Sequence, residues 1–223
     1  VEDRPGAAAY SPRWRHRAAD SGGGVLMDML HVVYLANWFM GGPPTAVSAW
    51  VDKRLDGDGD VEDIALVRYV YANGQALVNM AWGVGPGGLE IGGARGRMVM
   101  TNRDFGTHPF VPATRLDVVA ESGSRSWTPR EAVAYGMAGV AADFRDVVAA
   151  NAEPVANGES GLRVLDAVLG AYVSGASREE VALPLPPDHP VYTKGSAGIG
   201  DLDLPDESPV RCRGLFGVDQ TPA

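Results

Sequence analysis

"VEDIALVRYVYANGQALVNMAW", residues 61–82, is the stretch on which the fold turns. Two segments rich in Val, Tyr, Leu and Ala flank Asn73-Gly74. β-Branched and aromatic residues suit a pleated, half-buried surface. An Asn-Gly pair between two such runs is a strong signal for a two-residue hairpin. The neighbouring segments continue the pattern: "AVSAWVDKRL" before it, and "GLEIGG", "GRMVMTN" and "RLDVVAES" after it. An antiparallel meander is expected over about residues 45–121.

On the N-terminal side lies "GGGVLMDMLHVVYLANWFMGG", residues 22–42. Its apolar positions nearly encircle a helix axis, which predicts a helix over 24–40 packed on several sides. Gly41-Gly42-Pro43-Pro44 ends it. On the C-terminal side, "GMAGVAADFRDVVAANA" and "ESGLRVLDAVLGAYVSGAS" read as two helices, the second stopping at Gly175. "EVALPL" reads as a last edge strand closed by Pro184 and Pro186. A helix, a sheet and two further helices make an α+β domain, with an open, mainly antiparallel sheet and helices on one face. The expected division is an irregular lead-in over 1–21, the domain over 22–186, and an extended tail over 187–223.

Composition narrows the function. The 223 residues carry a formal net charge of -9, which argues against a nucleic-acid surface. The longest apolar run is interrupted by Asp28, His31 and Asn37, so a buried helix is expected there rather than a membrane span. One cysteine, Cys212, suits a reducing compartment, and the first residues lack the pattern of a secretory leader. A cytoplasmic protein is the expectation.

Two motifs mislead. "GVGPGG", residues 83–88, satisfies G-x-G-x-x-G, but strand-like residues follow where a dinucleotide site needs a helix. "LDGDGDVED" spaces Asp56, Asp58 and Asp60 like a calcium loop, yet Val61 and Val67 stand where the loop needs Gly and Glu. An acidic turn is the better reading. No Cys/His cluster has metal-ligand spacing.

Asp28 and His31 remain. Three residues apart on a helix, they occupy neighbouring parts of one face. A carboxylate beside an imidazole can fix its tautomer and hold its pKa near neutrality, as proton transfer requires. A buried His bonded to Asp is also common as plain structure.

The run "YSPRWRHRAADSGGGVLMDMLHVVYLANWFMGGPP" resembles the start of the C-terminal domain of the Gfo/Idh/MocA family of NAD(P)-dependent sugar and polyol dehydrogenases. The shared parts are Trp14-Arg15, the glycines 22–24, Asp28, His31, and Trp38-Phe39-Met40-Gly41. "VEDIALVRYVYANGQALVNMAW" is similar to the family's E-D-x-A strand and N-G hairpin, and "LEIGGARGRMVM" to its next strand pair. The segment from Phe144 to Leu185 is similar to its closing helices and final strand. The resemblance covers about residues 10–186.

It implies that His31 is the acid/base acting on a substrate hydroxyl and that Asp28 contacts substrate. Tyr10, Arg13 and Arg15 would reach substrate or cofactor. It implies NAD or NADP as cofactor, held mainly by a Rossmann domain supplied in cis or in trans. It also implies a sugar, polyol or related hydroxy compound as substrate and a homo-oligomer formed through the sheet face, with no nucleic acid or membrane involved. "DMLH" departs from the family spacing, which has three residues between Asp and His. The family's Rossmann domain and E-K-P lysine have no counterpart in these residues, so no turnover is expected from this polypeptide alone. The alternative is a non-catalytic binding or dimerisation scaffold with the same fold.

Overall fold

The computed structural model describes residues 13–53, 60–82, 88–101, 115–127 and 136–204. Residues 1–12, 54–59, 83–87, 102–114, 128–135 and 205–223 lie outside it, and with them the expected acidic turn at Asp56 and Asp58 and part of the expected tail.

The quoted hairpin is the centre of the molecule. Strands β1 (Ala46–Asp52), β2 (Ile64–Tyr71), β3 (Gly74–Ala81) and β8 (Val181–Ala182) form an antiparallel sheet in the order β3-β2-β1-β8. Tyr71 pairs with Gly74, so Ala72 and Asn73 form the tip, one residue earlier than Asn73-Gly74. The shift leaves Asn73 free to donate its side-chain amide to the Met40 carbonyl at 3.2 Å. Along β2 the burial alternates: Ala65, Val67, Tyr69 and Tyr71 point into the core while Leu66 and Arg68 face outward. The closing strand is shorter than "EVALPL" suggests, since only Val181 and Ala182 pair with β1.

The buried face is covered by a long helix, α5 (Gly158–Ser177), through Val164, Ala167, Val168, Ala171 and Tyr172. Asn157 caps it, its side-chain oxygen accepting from the Ser160 N–H at 2.9 Å. The helix runs past Gly175 to Ser177 and ends at Arg178, which is left-handed at φ 59°. Gly175 is interior because a Cβ there would stand 2.9 Å from Val51. It lets the helix lie close on β1.

The predicted helix over 24–40 is two helices. After a 3-10 turn (Arg13–His16) and α1 (Ala18–Ser21), α2 covers Val25–Asp28 and α3 covers Leu30–Met40. Met29, at φ −98° and ψ 23°, breaks the run. The Val32 N–H returns to the Met29 carbonyl, a three-residue step in place of four. α3 is packed on one side only: Val33 and Asn37 are buried, while Leu30, Trp38 and Phe39 are exposed. Gly41 ends it in the left-handed region at φ 76°.

The meander divides. Strands β4 (Gly88–Gly93), β5 (Gly96–Thr101), β6 (Arg115–Ala120) and β7 (Gly123–Trp127) make a second antiparallel sheet in sequence order. Register places Leu89, Ile91, Met98, Met100, Leu116, Val118 and Trp127 on one face, and mostly polar residues on the other. A helix follows, α4 (Gly136–Ala150), with Val140, Phe144 and Val148 exposed along one stripe. After β8, the segment expected as a tail folds into α6 (Pro190–Thr193) and α7 (Ser196–Gly200). Val191 and Ile199 join the core, so the domain's packing extends past residue 186.

Candidate functional site

The glycine cluster forms a tight seat. Glu62, at the mouth of β2, is 5% exposed. One carboxylate oxygen accepts from the Gly24 N–H at 2.8 Å, the other from the Leu26 N–H at 3.0 Å and the Tyr172 hydroxyl at 2.7 Å. Its backbone carbonyl takes the Val25 N–H at 3.0 Å. The orphan donors at the start of α2 are thus satisfied from another element. A Cβ on Gly24 would run into the Glu62 carbonyl, and one on Gly23 into the Tyr172 hydroxyl. Burial pushes the Glu62 carboxyl above its ordinary value, with the hydrogen bonds from Tyr172, Leu26 and Gly24 opposing the shift.

That seat sets the position of Asp28, the last residue of α2. Arg15 donates to one carboxylate oxygen at 2.6 Å and the Trp82 indole N–H to the other at 3.2 Å. Arg15 lies 5.2 Å from the Trp14 ring centroid, and the His16 ring meets Trp82 edge-on at 5.0 Å. Arg15 Nε is buried without a hydrogen-bond partner. The lead-in is further held by Asp60, which accepts from the Ala18 N–H at 2.7 Å and donates its own N–H to the His16 carbonyl at 3.0 Å. Of the residues singled out in the sequence, the fold therefore brings Arg15 and Asp28 together. Tyr10 and the side chain of Arg13 lie outside the described residues.

His31 lies across the Met29 break from Asp28, in the first turn of α3, and is exposed. The expectation of one continuous helix carrying both on a single face is corrected by that break. The two-residue spacer of "DMLH" coincides with the tightened Met29–Val32 step. Further along α3, Tyr34 and Trp38 follow His31 at helical spacing, three and seven residues on.

Sequence reasoning missed Glu62, Trp82 and Tyr172 as parts of this site. Glu62 and Tyr172 are 110 residues apart, and only their packing relates them. A nicotinamide dinucleotide needs a glycine loop that opens a helix at the end of a strand. The run at 83–88 leads into strand β4, so its residues do not fit that group. Among the described residues no cluster of His, Cys, Asp or Glu could hold a metal ion, and no helix is long and apolar enough to cross a membrane.

Residues 2–99 match the family model described as the GFO/IDH/MocA C-terminal domain. No curated protein sequence matches the chain. Several solved structures share its fold. Aldose-aldose oxidoreductase from Caulobacter crescentus, complexed with glycerol, is 22% identical at a TM-score of 0.68, over 77% of this chain and 51% of that one. An oxidoreductase from Agrobacterium radiobacter in complex with NAD+, L-tartaric acid and magnesium is 15% identical at 0.64, over 81% and 54%. A levoglucosan dehydrogenase in complex with NADH and L-sorbose is 21% identical at 0.64, over 78% and 53%. The chain spans about half the length of these enzymes. In sequence over residues 2–99 it resembles the GFO/IDH/MocA C-terminal domain, and over most of its length it shares the fold of part of these solved oxidoreductases.

Proposed function

We propose that this chain is the substrate-binding, acid/base half of an NAD(P)-dependent oxidoreductase acting on a sugar, polyol or related hydroxy compound. The observation that carries the reading is His31 itself: an exposed imidazole at the start of α3, directly after a carboxylate fixed by Arg15 and Trp82. His31 takes or returns the proton of the substrate hydroxyl. Asp28 holds Arg15 and Trp82 around the entrance to α3, and it contacts substrate through whichever lone pairs those donors leave. Tyr10 and Arg13 add substrate contacts from the lead-in. NAD or NADP is held by a Rossmann domain in cis or in trans.

The test joins the chain to a matching nicotinamide domain and replaces His31→Asn. Turnover falls by about 10²- to 10⁴-fold, the usual share of a positioned acid/base, while circular dichroism stays unchanged. Turnover that survives the substitution sinks the reading.

One observation favours a second role. The β4–β7 sheet gathers seven apolar side chains on one face, none of them fully buried by the chain itself. Such a face suits a homo-oligomer interface. The same sheet would serve a non-catalytic scaffold equally well, and the His31→Asn result separates the two.

A further inference from the structure

A cleft of about 270 Å3 lies between the C-terminal half of α3 and the first turns of α5. Its walls include Tyr34, Trp38, Val155 and Arg163, and its floor includes Asn37. Three features set it apart from an ordinary surface groove. The Trp38 side chain is 60% exposed although it belongs to a helix with an apolar core face. Asn37 is only 9% exposed, its side-chain oxygen is taken by the Tyr71 hydroxyl at 2.9 Å, and its amide nitrogen has no hydrogen-bond partner. Tyr34 and Arg163 bring a hydroxyl and a guanidinium to the same rim; Tyr34 already donates to the Val155 carbonyl at 3.3 Å, and Arg163 pairs with Glu159 on its own helix.

The Asn37 amide nitrogen is sealed beneath the cleft, so the groups that face an occupant are the exposed Trp38 indole and the rim residues Tyr34 and Arg163. An indole face beside planar hydrogen-bonding groups is suited to a ring that is apolar on its C–H face and hydroxylated at its edge. A volume near the lower end of ligand pockets, roughly 300 Å3, admits one such ring. Position adds the last step. Trp38 is seven residues beyond His31 on α3, which returns it to within about 20° of the same face and about 10 Å further along the axis.

We propose that this cleft is a second sugar subsite, so that the ligand is a disaccharide or glycoside: one ring at His31 and the next stacked on Trp38, with its edge hydroxyls toward Tyr34 and Arg163. The proposal rests on the carbohydrate reading above but not on His31 being catalytic.

The purified chain is titrated with cellobiose and with methyl glucoside, following backbone amide shifts and tryptophan fluorescence. Cellobiose shifts the signals of Tyr34, Trp38 and Arg163 and binds more tightly than methyl glucoside. Trp38→Ala weakens cellobiose by roughly tenfold, the worth of one good aromatic contact, and Trp38→Phe restores part of the loss. Trp38→Ala leaves methyl glucoside unchanged. The subsite is refuted by cellobiose binding that ignores Trp38→Ala, or by no shift at the cleft at millimolar sugar. In the rejoined enzyme, His31→Asn that abolishes turnover yet keeps cellobiose affinity supports both claims. Turnover that survives His31→Asn overturns the acid/base reading and leaves the subsite standing.

Discussion

The two sheets are built from similar strands and have opposite fates. In the first, β2 sends Val67 and Tyr69 under α5, and they are almost wholly removed from water. In the second, Val118 and Met98 pair across β6 and β5 on the apolar face and stay half-covered. The strand residues do not differ much in kind. What differs is the cover: α5 supplies Val164, Val168 and Tyr172 to the first sheet, whereas the stripe of α4 is itself exposed. An apolar strand face acquires its stability from the layer opposite it, and among the described residues only the first sheet receives such a layer.

The largest effect should fall where the covered half is tightest. Gly24→Ala drives a Cβ into the Glu62 carbonyl, with a cost of about 3 kcal/mol or more. Urea denaturation reads it as a lowered midpoint, and an unchanged midpoint would break the account of the glycine cluster. Next comes a matched pair across the two sheets. Val67→Ala should cost about 2 kcal/mol, and Val118→Ala less than about 0.5 kcal/mol. Equal losses would mean that the second sheet is buried after all. If Val118 lies in a subunit interface, Val118→Lys lowers the sedimentation coefficient without lowering the stability of the monomer.

The smallest effect is a slope. Burial raises the Glu62 pKa above 4.5, so the folded state binds this proton more tightly than the unfolded chain does. The contribution is complete below the unfolded pKa and is lost as pH rises through the raised folded value. As pH rises from the ordinary carboxylate range toward the raised folded value, wild-type stability should therefore decline relative to Glu62→Gln, by at most about 1.4 kcal/mol per pH unit. Parallel curves would show that the carboxyl is not the titrating group.

Much of this architecture was legible in the sequence. The hairpin showed in "YANGQ", the end of α3 in Gly41 and Pro43, and α5 in its apolar period. The Met29 break was not, because nothing between Val25 and Met40 is a Gly or Pro and the apolar run continues through it. Glu62, which fixes the start of α2 through the Gly24 and Leu26 N–H groups, also sits outside the segment. Gly175 misled in the opposite direction: read locally it stops a helix, whereas packed against Val51 it lets one pass. The candidate site was half legible. Asp28 and His31 stood out by type and spacing and Arg15 through the family resemblance, while Trp82 and Tyr172 enter through contacts between distant strands and helices.

The Glu62 seat has a consequence for how variants of this protein should be interpreted. Tyr172 and Gly24 lie away from His31 in the chain, yet both set the pose of the short helix that ends at Asp28. A mutational scan scored on function will mark these two positions as sensitive. Scored for folded protein alongside, they will separate from His31: they lose both readouts together, and His31 loses one.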